Sequence, residues 1–287
     1  MKEKRNWATL CLLLPSLFLT IVFVIVPLAA LIIFSFLRTE SYRFVPALTL
    51  ESYADVFADG AWLFTLETMG KTLGMAVLVL ALVILGAYPI AYFLARRIKS
   101  PVTQTVILVL CILPFWTSYV IRMITWVPIL ANTGIINSFL LSSGIIKSPI
   151  TTLLFSYKAM IFVEFFLWVV FMVGPIFWMI ARIPDEVMEA SLNLGASRIK
   201  RFLTITLPLS VPGIATGIMF CFVMIMSDFA TPKIIGGGHY FMFASYIDNS
   251  MQNSEFALAG AYSTIMTVVT LFLVYLLFRT VDLRKEL

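Results

Sequence analysis

The sequence has little charge, a single histidine and three cysteines, and each shortage excludes a class of protein. Charged residues make up 12% of the 287 residues, about half of the roughly 25% that soluble domains carry. Hydrophobic residues make up 61%, so water is not the main solvent of this chain. Three cysteines cannot form a complete disulfide framework, and one histidine offers no cluster with the spacing of metal ligands.

Catalytic motifs are also missing from the sequence. Gly70-Lys71-Thr72 ends like a phosphate-binding loop, but Thr65 stands where that loop needs its first glycine. We find no nucleophile paired with a base in an aqueous cleft. We therefore expect no enzyme activity, no cofactor and no metal. The basic residues lie in small groups between apolar runs, so no nucleic-acid partner is expected either.

Six long apolar runs predict an all-α integral membrane protein of about six transmembrane helices. A helix needs about 20 apolar residues to cross the hydrocarbon core, and every run is long enough. The first run is too long for the core of a cleaved signal peptide. No internal repeat or linker divides the chain, so we expect a single membrane domain over residues 1–287. The runs cover approximately residues 9–36, 69–95, 103–130, 151–181, 208–232 and 256–278.

The distribution of Lys and Arg predicts the orientation, because short loops rich in these residues stay in the cytoplasm. Basic groups occur near the N-terminus, at 96–99, at 182–201 and at 279–285. Both termini are therefore expected in the cytoplasm. The intervening loops are expected outside, where an extracytoplasmic partner would meet them.

The longest inside loop, residues 182–207, has the pattern of a short amphipathic helix. Pro184 followed by two acidic residues is typical of a helix start, and Gly195 is a residue that ends helices. Val187, Ala190, Ser191 and Leu194 fall on one face. So short a helix is marginal in water, so its apolar face should be docked. Physical arguments alone allow two docking sites for this face: a partner protein, or the bilayer surface and the protein's own helices.

The sequence Glu189-Ala190-Ser191, followed by Gly195 and Leu207-Pro208, resembles the E-A-A, G, L-P signature of permease subunits of binding-protein-dependent ABC importers. Ser191 departs from the second alanine of the signature but is small enough for the same packing. The resemblance implies the type I importer permease fold. It also implies that this segment is a coupling helix seated on a cytoplasmic ATPase subunit. The implied coupling residues are Glu189, Ala190, Ser191, Leu194 and Gly195.

Two further blocks look like the spermidine/putrescine permeases within that family. They are Leu113-Pro114-Phe115-Trp116-Thr117-Ser118 with Ile121-Arg122, and Asp228-Phe229 with Pro232 and Ile234-Ile235-Gly236-Gly237. The resemblance implies two cytoplasmic ATPase subunits, a second and non-identical permease subunit, an extracytoplasmic solute-binding protein, and a place in the bacterial inner membrane. A polyamine is the substrate it favours.

Ionisable side chains at membrane depth are costly and usually face a cavity or a partner. The carboxylate of Asp228 is expected either to bind a cationic solute or to form an ion pair with Arg122 or Lys158. Glu164 is open to the same two interpretations, and aromatic rings offer cation-π contacts. The substrate-pathway candidates are Asp228, Glu164, Trp116, Arg122, Trp168 and Lys233.

Departures from the subfamily keep other functions open. Lys233 stands where an acidic residue is frequent, and Val170 stands where a proline is frequent. A solute that carries a carboxylate as well as an amine, such as an amino-acid derivative or an opine, is therefore the alternative substrate. The rival class is a secondary transporter driven by an ion gradient, which usually shows internal repeats that this sequence lacks. A membrane scaffold would leave the intramembrane charges unexplained.

Overall fold

The computed structural model describes residues 7–40, 43–58 and 60–280. The basic residues predicted to flank the two termini, at 2–5 and 284–285, lie outside the described residues. Contacts divide the chain into a first unit, Met1–Leu66 with Tyr246–Val268, and a second unit, Glu67–Ser245 with Val269–Leu287. The expectation of one domain stays a prediction.

Within the described ranges, six helices are long and apolar enough to cross a membrane, which confirms the predicted number. They are judged by length and composition alone. A shorter apolar helix, Pro101–Trp116, lies between the second and third of them. The six spans are Leu13–Ser35, Ala61–Arg96, Tyr119–Ser142, Tyr157–Ala181, Arg198–Met226 and Phe256–Arg279.

The first unit contains the first span and a β-hairpin. Ser35 at the end of that span shares a 2.8 Å hydrogen bond between its hydroxyl and that of Tyr53, and Arg38 forms a 3.1 Å ion pair with Glu51. The hairpin strands are antiparallel. The N-terminal part of the first unit contains α1 (Trp7–Thr20), a π-helical turn (Ile21–Ile25), α2 (Val26–Ser35), β1 (Leu37–Glu40), β2 (Arg43–Leu48) and α3 (Glu51–Phe57).

The second unit holds most of the remaining helices, and three of them, α4, α12 and α13, have residues in both units. The elements from here to residue 280 are α4 (Ala61–Arg96), α5 (Pro101–Ile112), α6 (Tyr119–Leu130), α7 (Ile135–Ser142), α8 (Tyr157–Ala181), α9 (Asp185–Asn193), α10 (Arg198–Arg201), α11 (Leu207–Met226), α12 (Phe243–Gln252) and α13 (Phe256–Thr280).

Helices α8 and α11 form the centre of the second unit, and glycines allow their backbones to approach closely. A Cβ atom added at Gly213 would lie 2.5 Å from the backbone oxygen of Pro175, and one at Gly217 would lie 2.1 Å from Sδ of Met172. Membrane helices lack a hydrophobic drive to associate, so close packing through small residues takes its place. The α8–α11 contact is therefore sensitive to volume at these two positions.

The third apolar run, 103–130, is not the single helix that its length predicts. α5 ends at Ile112, a 3₁₀ turn covers Leu113–Trp116, and α6 begins only at Tyr119. Thr117 and Ser118 between them are extended, with ψ of 150° and 136°. Pro114 lacks an amide hydrogen and clashes with a preceding carbonyl. Hydropathy cannot detect such a break, because every residue of the turn is still apolar.

Two helix starts also differ from the predicted limits. α4 begins at Ala61 rather than 69, and the charged residues Glu67 and Lys71 lie inside it, one turn apart, with a 2.7 Å ion pair between them. α8 begins at Tyr157 rather than 151. There the hydroxyl of Ser156 accepts a 3.1 Å hydrogen bond from the amide of Ala159, which defines the start as a capped one.

We expect Gly213→Ala to destabilise the protein by about 1–3 kcal/mol, because the backbone oxygen facing the new methyl group cannot move aside as a side chain would. Gly174→Ala is the matched control, since a Cβ there meets nothing within 4 Å and alanine favours the helix. The apparent Tm of the detergent-solubilised protein measures both. Equal Tm values for the two variants would contradict the close approach of α8 and α11.

Candidate functional site

The loop helix α9 covers Asp185–Asn193, as predicted. Gly195 takes a φ of +74°, and the backbone closes around it with a 3.0 Å hydrogen bond from the amide of Ala196 to the carbonyl of Ser191. A left-handed residue with this hydrogen bond is a helix-ending motif that strongly favours glycine. The sequence signal at Gly195 therefore has a direct backbone cause.

Ser191 and Leu194, which were predicted to share one face of the loop helix, differ in burial, and this corrects the predicted face at Leu194. Ser191 is buried, and its hydroxyl donates a 2.6 Å hydrogen bond to the carbonyl of Met188. Leu194 is 87% exposed and Ile199 is 73% exposed. Leu194 departs from the predicted face because it follows the last regular residue of α9. Two large apolar side chains thus project from a polar loop, and such surfaces commonly mark a contact with another molecule.

The end of α4 holds the start of α9. The guanidinium of Arg96 donates to Asp185 Oδ1 at 3.0 Å and to the carbonyl of Ile183 at 3.0 Å. The side chain of Arg96 is only 13% exposed, so one side of the pair is shielded from solvent. A displacement of α9 would therefore be passed to α4.

A second site lies among the spans, around two acidic residues of α8 and of the segment after α11. Glu164 is 0% exposed and Asp228 is 7% exposed. The two residues line one cavity of about 10 Å³, and we call them the carboxylate pair. The cavity is too small for a solute in this conformation.

Hydrogen bonds hold each carboxylate in place. The Thr231 hydroxyl donates to Glu164 Oε1 at 2.7 Å, and the Trp168 indole N–H donates to Glu164 Oε2. Asp228 Oδ1 accepts from the amides of Ala230 and Thr231 at 2.8 and 3.1 Å. Asp228 thereby caps the π-helical turn Thr231–Ile235, whose free amides favour a negative charge.

Aromatic rings form one wall beside the carboxylate pair. The ring of Tyr119 stacks on that of Trp168, with centroids 6.1 Å apart and planes at 22°. The Tyr119 hydroxyl lies 3.4 Å from Thr231 Oγ1. Tyr119 is the first residue of α6, so the break between α5 and α6 places this ring next to α8.

The guanidinium of Arg122 lies over two of these aromatic rings rather than on an acid. Its Cζ is 4.8 Å from the Phe115 centroid and 5.8 Å from the Tyr119 centroid. Among the residues that the structure describes, neither Arg122 nor Lys158 forms an ion pair with Asp228. The ion-pair interpretation of Asp228 is therefore wrong, and the carboxylate pair has no basic partner within the described ranges.

An acidic pair in a low-dielectric interior attracts a compensating positive charge, because burying uncompensated charge is costly. The stacked rings beside it favour a positively charged ligand group through their π faces. The arrangement is thus suited to a proton or to an ammonium group, and it lacks the open water-filled cleft that a hydrolytic site would need.

The sequence candidates for the pathway are only partly brought together. Asp228, Glu164 and Trp168 meet at one site, and Arg122 lies beyond the ring of Tyr119. Trp116 is 88% exposed on the 3₁₀ turn, and Lys233 is exposed in the turn after Asp228. Thr231 was missed by sequence reasoning, although its place three residues after Asp228 is the spacing of a capped turn.

Comparison with known proteins gives a family match. Residues 87–286 match the family described as "Binding-protein-dependent transport system inner membrane component". The matched range includes α9 and both acidic residues of the carboxylate pair.

Among characterised proteins, the chain is similar to spermidine/putrescine transport system permease proteins PotB. It is 30% identical to that of Salmonella typhimurium over 260 residues, covering 90% of this chain and 88% of the relative. It is 31% identical to that of Escherichia coli K12 over 252 residues, covering 87% and 89%. It is 27% identical to that of Haemophilus influenzae, covering 90% and 89%.

Among solved structures, the fold is similar to a chain of a bacterial ABC transporter involved in the import of the acidic polysaccharide alginate. The TM-score is 0.72 at 20% identity, with 96% of each chain covered. At this identity the likeness shows the fold. The predicted type I importer fold is therefore confirmed.

We expect Thr231→Val to destabilise the protein by about 1–3 kcal/mol, because the buried Glu164 oxygen loses its donor. Thr216→Val is the control, since its hydroxyl donates only within its own helix, to Pro212 at 2.8 Å. The loss should shrink when Glu164→Gln is already present, as a double-mutant cycle of apparent Tm values would show. Additive effects would mean that Thr231 does not support Glu164.

Proposed function

The chain belongs to the family of inner-membrane components of binding-protein-dependent transport systems, and we propose that it is the permease subunit of an ATP-driven polyamine importer. It is a multi-pass protein of the bacterial inner membrane and a transport component rather than an enzyme. The observation that carries the substrate is the carboxylate pair, Glu164 and Asp228, buried without a basic partner among the described residues.

The chemistry of the carboxylate pair suits an alkylammonium group. A carboxylate and an ammonium form a charge-assisted hydrogen bond, and the stacked rings of Tyr119 and Trp168 add a cation-π surface beside it. The names of the relatives, which are spermidine/putrescine permeases, also favour a polyamine as the substrate. The alginate transporter carries no weight for the substrate, because only the fold is shared with it.

Transport would require the cavity between the two carboxylates to open, since about 10 Å³ cannot hold a solute. We infer that the structure represents a closed arrangement of the pathway. Asp228 follows α11 and Glu164 lies in α8, so a shift of one helix against the other would separate the carboxylates. The aromatic wall on α6 would then line the opening.

The ATPase-coupling role is proposed for α9, with Glu189, Ala190, Ser191, Leu194 and Gly195 as its residues and the loop in the cytoplasm. The exposed side chains of Leu194 and Ile199 support a docking surface. The ion pair between Arg96 and Asp185 supports transmission into α4. Two ATPase subunits, a second permease subunit and an extracytoplasmic binding protein complete the proposed assembly.

Arg122 favours a second candidate substrate, an amino-acid derivative that carries both an amine and a carboxylate. Its Nε atom is buried without a hydrogen-bond partner among the residues that the structure describes, and its Cζ atom lies 5.8 Å from the centroid of the Tyr119 ring. A zwitterionic solute would place its amine at Asp228 and its carboxylate at Arg122.

We expect Asp228→Asn and Glu164→Gln each to reduce polyamine uptake by about tenfold or more, because each removes a charge-assisted contact worth about 1.5–3 kcal/mol. The measurement is labelled spermidine uptake by the assembled transporter in liposomes with ATP on the ATPase side. Glu67→Gln is the control, since Glu67 is exposed and forms its 2.7 Å ion pair with Lys71, away from the carboxylate pair. Unchanged uptake in both variants would reject the pathway role.

The same assay separates the two substrates and the two transporter classes. Arg122→Gln should leave spermidine uptake within about twofold but lower uptake of an amino-acid derivative if that were the solute. Uptake driven by an ion gradient without ATP would contradict the ABC assignment.

We expect Leu194→Asp to weaken co-purification of the ATPase subunit by about tenfold, because a charge would replace an apolar anchor at the docking surface. Ile145→Asp is the control, an equally apolar residue that is 66% exposed outside the loop. Gly195→Pro should abolish uptake as well, because proline cannot take the φ of +74° found there. Normal uptake by membrane-inserted Gly195→Pro protein would reject the coupling role.

A further inference from the structure

A cavity of about 300 Å³ beside α9 has four arginines among its lining residues. Arg96 and Arg97 come from the end of α4, and Arg198 and Arg201 come from α10. Tyr92 and Asp185 also line it. The residues converge from three helices, so the fold and not the sequence alone creates this concentration of positive charge.

The charge of this arginine cavity is only partly compensated within the chain. Asp185 pairs with Arg96 at 3.0 Å, and no ion pair is found for Arg97, Arg198 or Arg201 in the part of the chain that the structure describes. The Nε atom of Arg96 is buried and has no hydrogen-bond partner among the described residues. Like charges held this close repel one another, so a cavity with an excess of arginine favours an anionic occupant.

The position of the arginine cavity at the ends of two candidate spans indicates which kind of anion would bind there. Arg96 is the last residue of the candidate span Ala61–Arg96, and Arg198 is the first residue of the candidate span Arg198–Met226. One turn before Arg96, Tyr92 packs edge-on against Phe202, with centroids 6.2 Å apart. Because these residues lie at the adjoining ends of two candidate spans, we expect them near the headgroup level, where Tyr and basic residues concentrate.

We propose that the arginine cavity binds the phosphate of an anionic phospholipid in the adjoining leaflet. Guanidinium groups bind phosphate through paired hydrogen bonds, and basic cavities between spanning helices on the cytoplasmic side are known to hold anionic headgroups. The bound phosphate bridges α4 to α10, next to the ion pair that joins α4 to α9. The proposal requires only that the chain spans a membrane, whatever its solute.

Lipid is favoured over a contact with the ATPase subunit. The exposed apolar residues proposed for that contact, Leu194 and Ile199, do not line the arginine cavity. Two of its arginines instead belong to the last residues of a membrane helix and the loop that follows it. An ATPase carboxylate in the cavity is therefore an outcome that the experiment has to reject.

The test compares lipid binding by the assembled transporter carrying Arg97→Gln with Arg201→Gln against a control carrying Lys99→Gln with Arg182→Gln. The control removes the same charge from the same side at positions that do not line the cavity. Native mass spectrometry measures phosphatidylglycerol retained in mixed micelles, with phosphatidylcholine as the neutral comparison. The expected loss is about fivefold per arginine, or about twenty-five-fold for the pair, with the control unchanged.

Three results would overturn the proposal. One is equal phosphatidylglycerol binding by the two double variants. Another is displacement of the lipid by inorganic phosphate at similar concentration, which would identify a free phosphate ion as the ligand. The third is loss of the ATPase subunit with lipid binding intact, which would assign the arginines to that interface. Because no readout depends on solute uptake, failure here leaves the transport proposal standing.

Discussion

The carboxylates of Glu164 and Asp228 lie in the interior of a membrane protein, with no basic side chain paired to them among the described residues. Burying such groups is tolerable only when donors and dipoles support them. Thr231, Trp168 and the amides after Asp228 supply that support. The break between α5 and α6 lies beside the same site, where Tyr119 packs on Trp168. Irregular backbone at membrane depth is tolerated where it packs against protein or lines a cavity.

Two helices, α8 and α11, connect the carboxylate pair to the loop helix α9. From Glu164, α8 continues to Ala181 and leads into α9, a path of about 25 Å at the rise of an α-helix. α11 returns from the loop and ends just before Asp228. Gly213 and Gly217 of α11 face α8 and allow the two helices to pack closely. A force on the loop therefore has a short, stiff route to the site.

The same scaffold serves solutes of opposite charge. A transporter involved in import of an acidic polysaccharide shares the fold at a TM-score of 0.72, whereas the relatives named for spermidine and putrescine match at about 30% identity. The number of spans belongs to the fold because it depends on hydrophobic length, whereas the side chains of the interior belong to each chain. In this chain those side chains include two acids beside stacked rings.

The sequence alone determined the membrane class, the number of spans and the loop helix that ends at Gly195. Hydrophobic length and a left-handed glycine are local properties, so one stretch of chain is enough to reveal them. It did not show the break after Ile112, because the run remains apolar there and a proline alone does not predict a break: Pro89 and Pro175 lie inside continuous helices. Only the tertiary structure placed Glu164 beside Asp228, separated both from Arg122 and Lys158, and gathered four arginines into one cavity. Those arrangements depend on which helix faces meet, and packing between distant segments decides that.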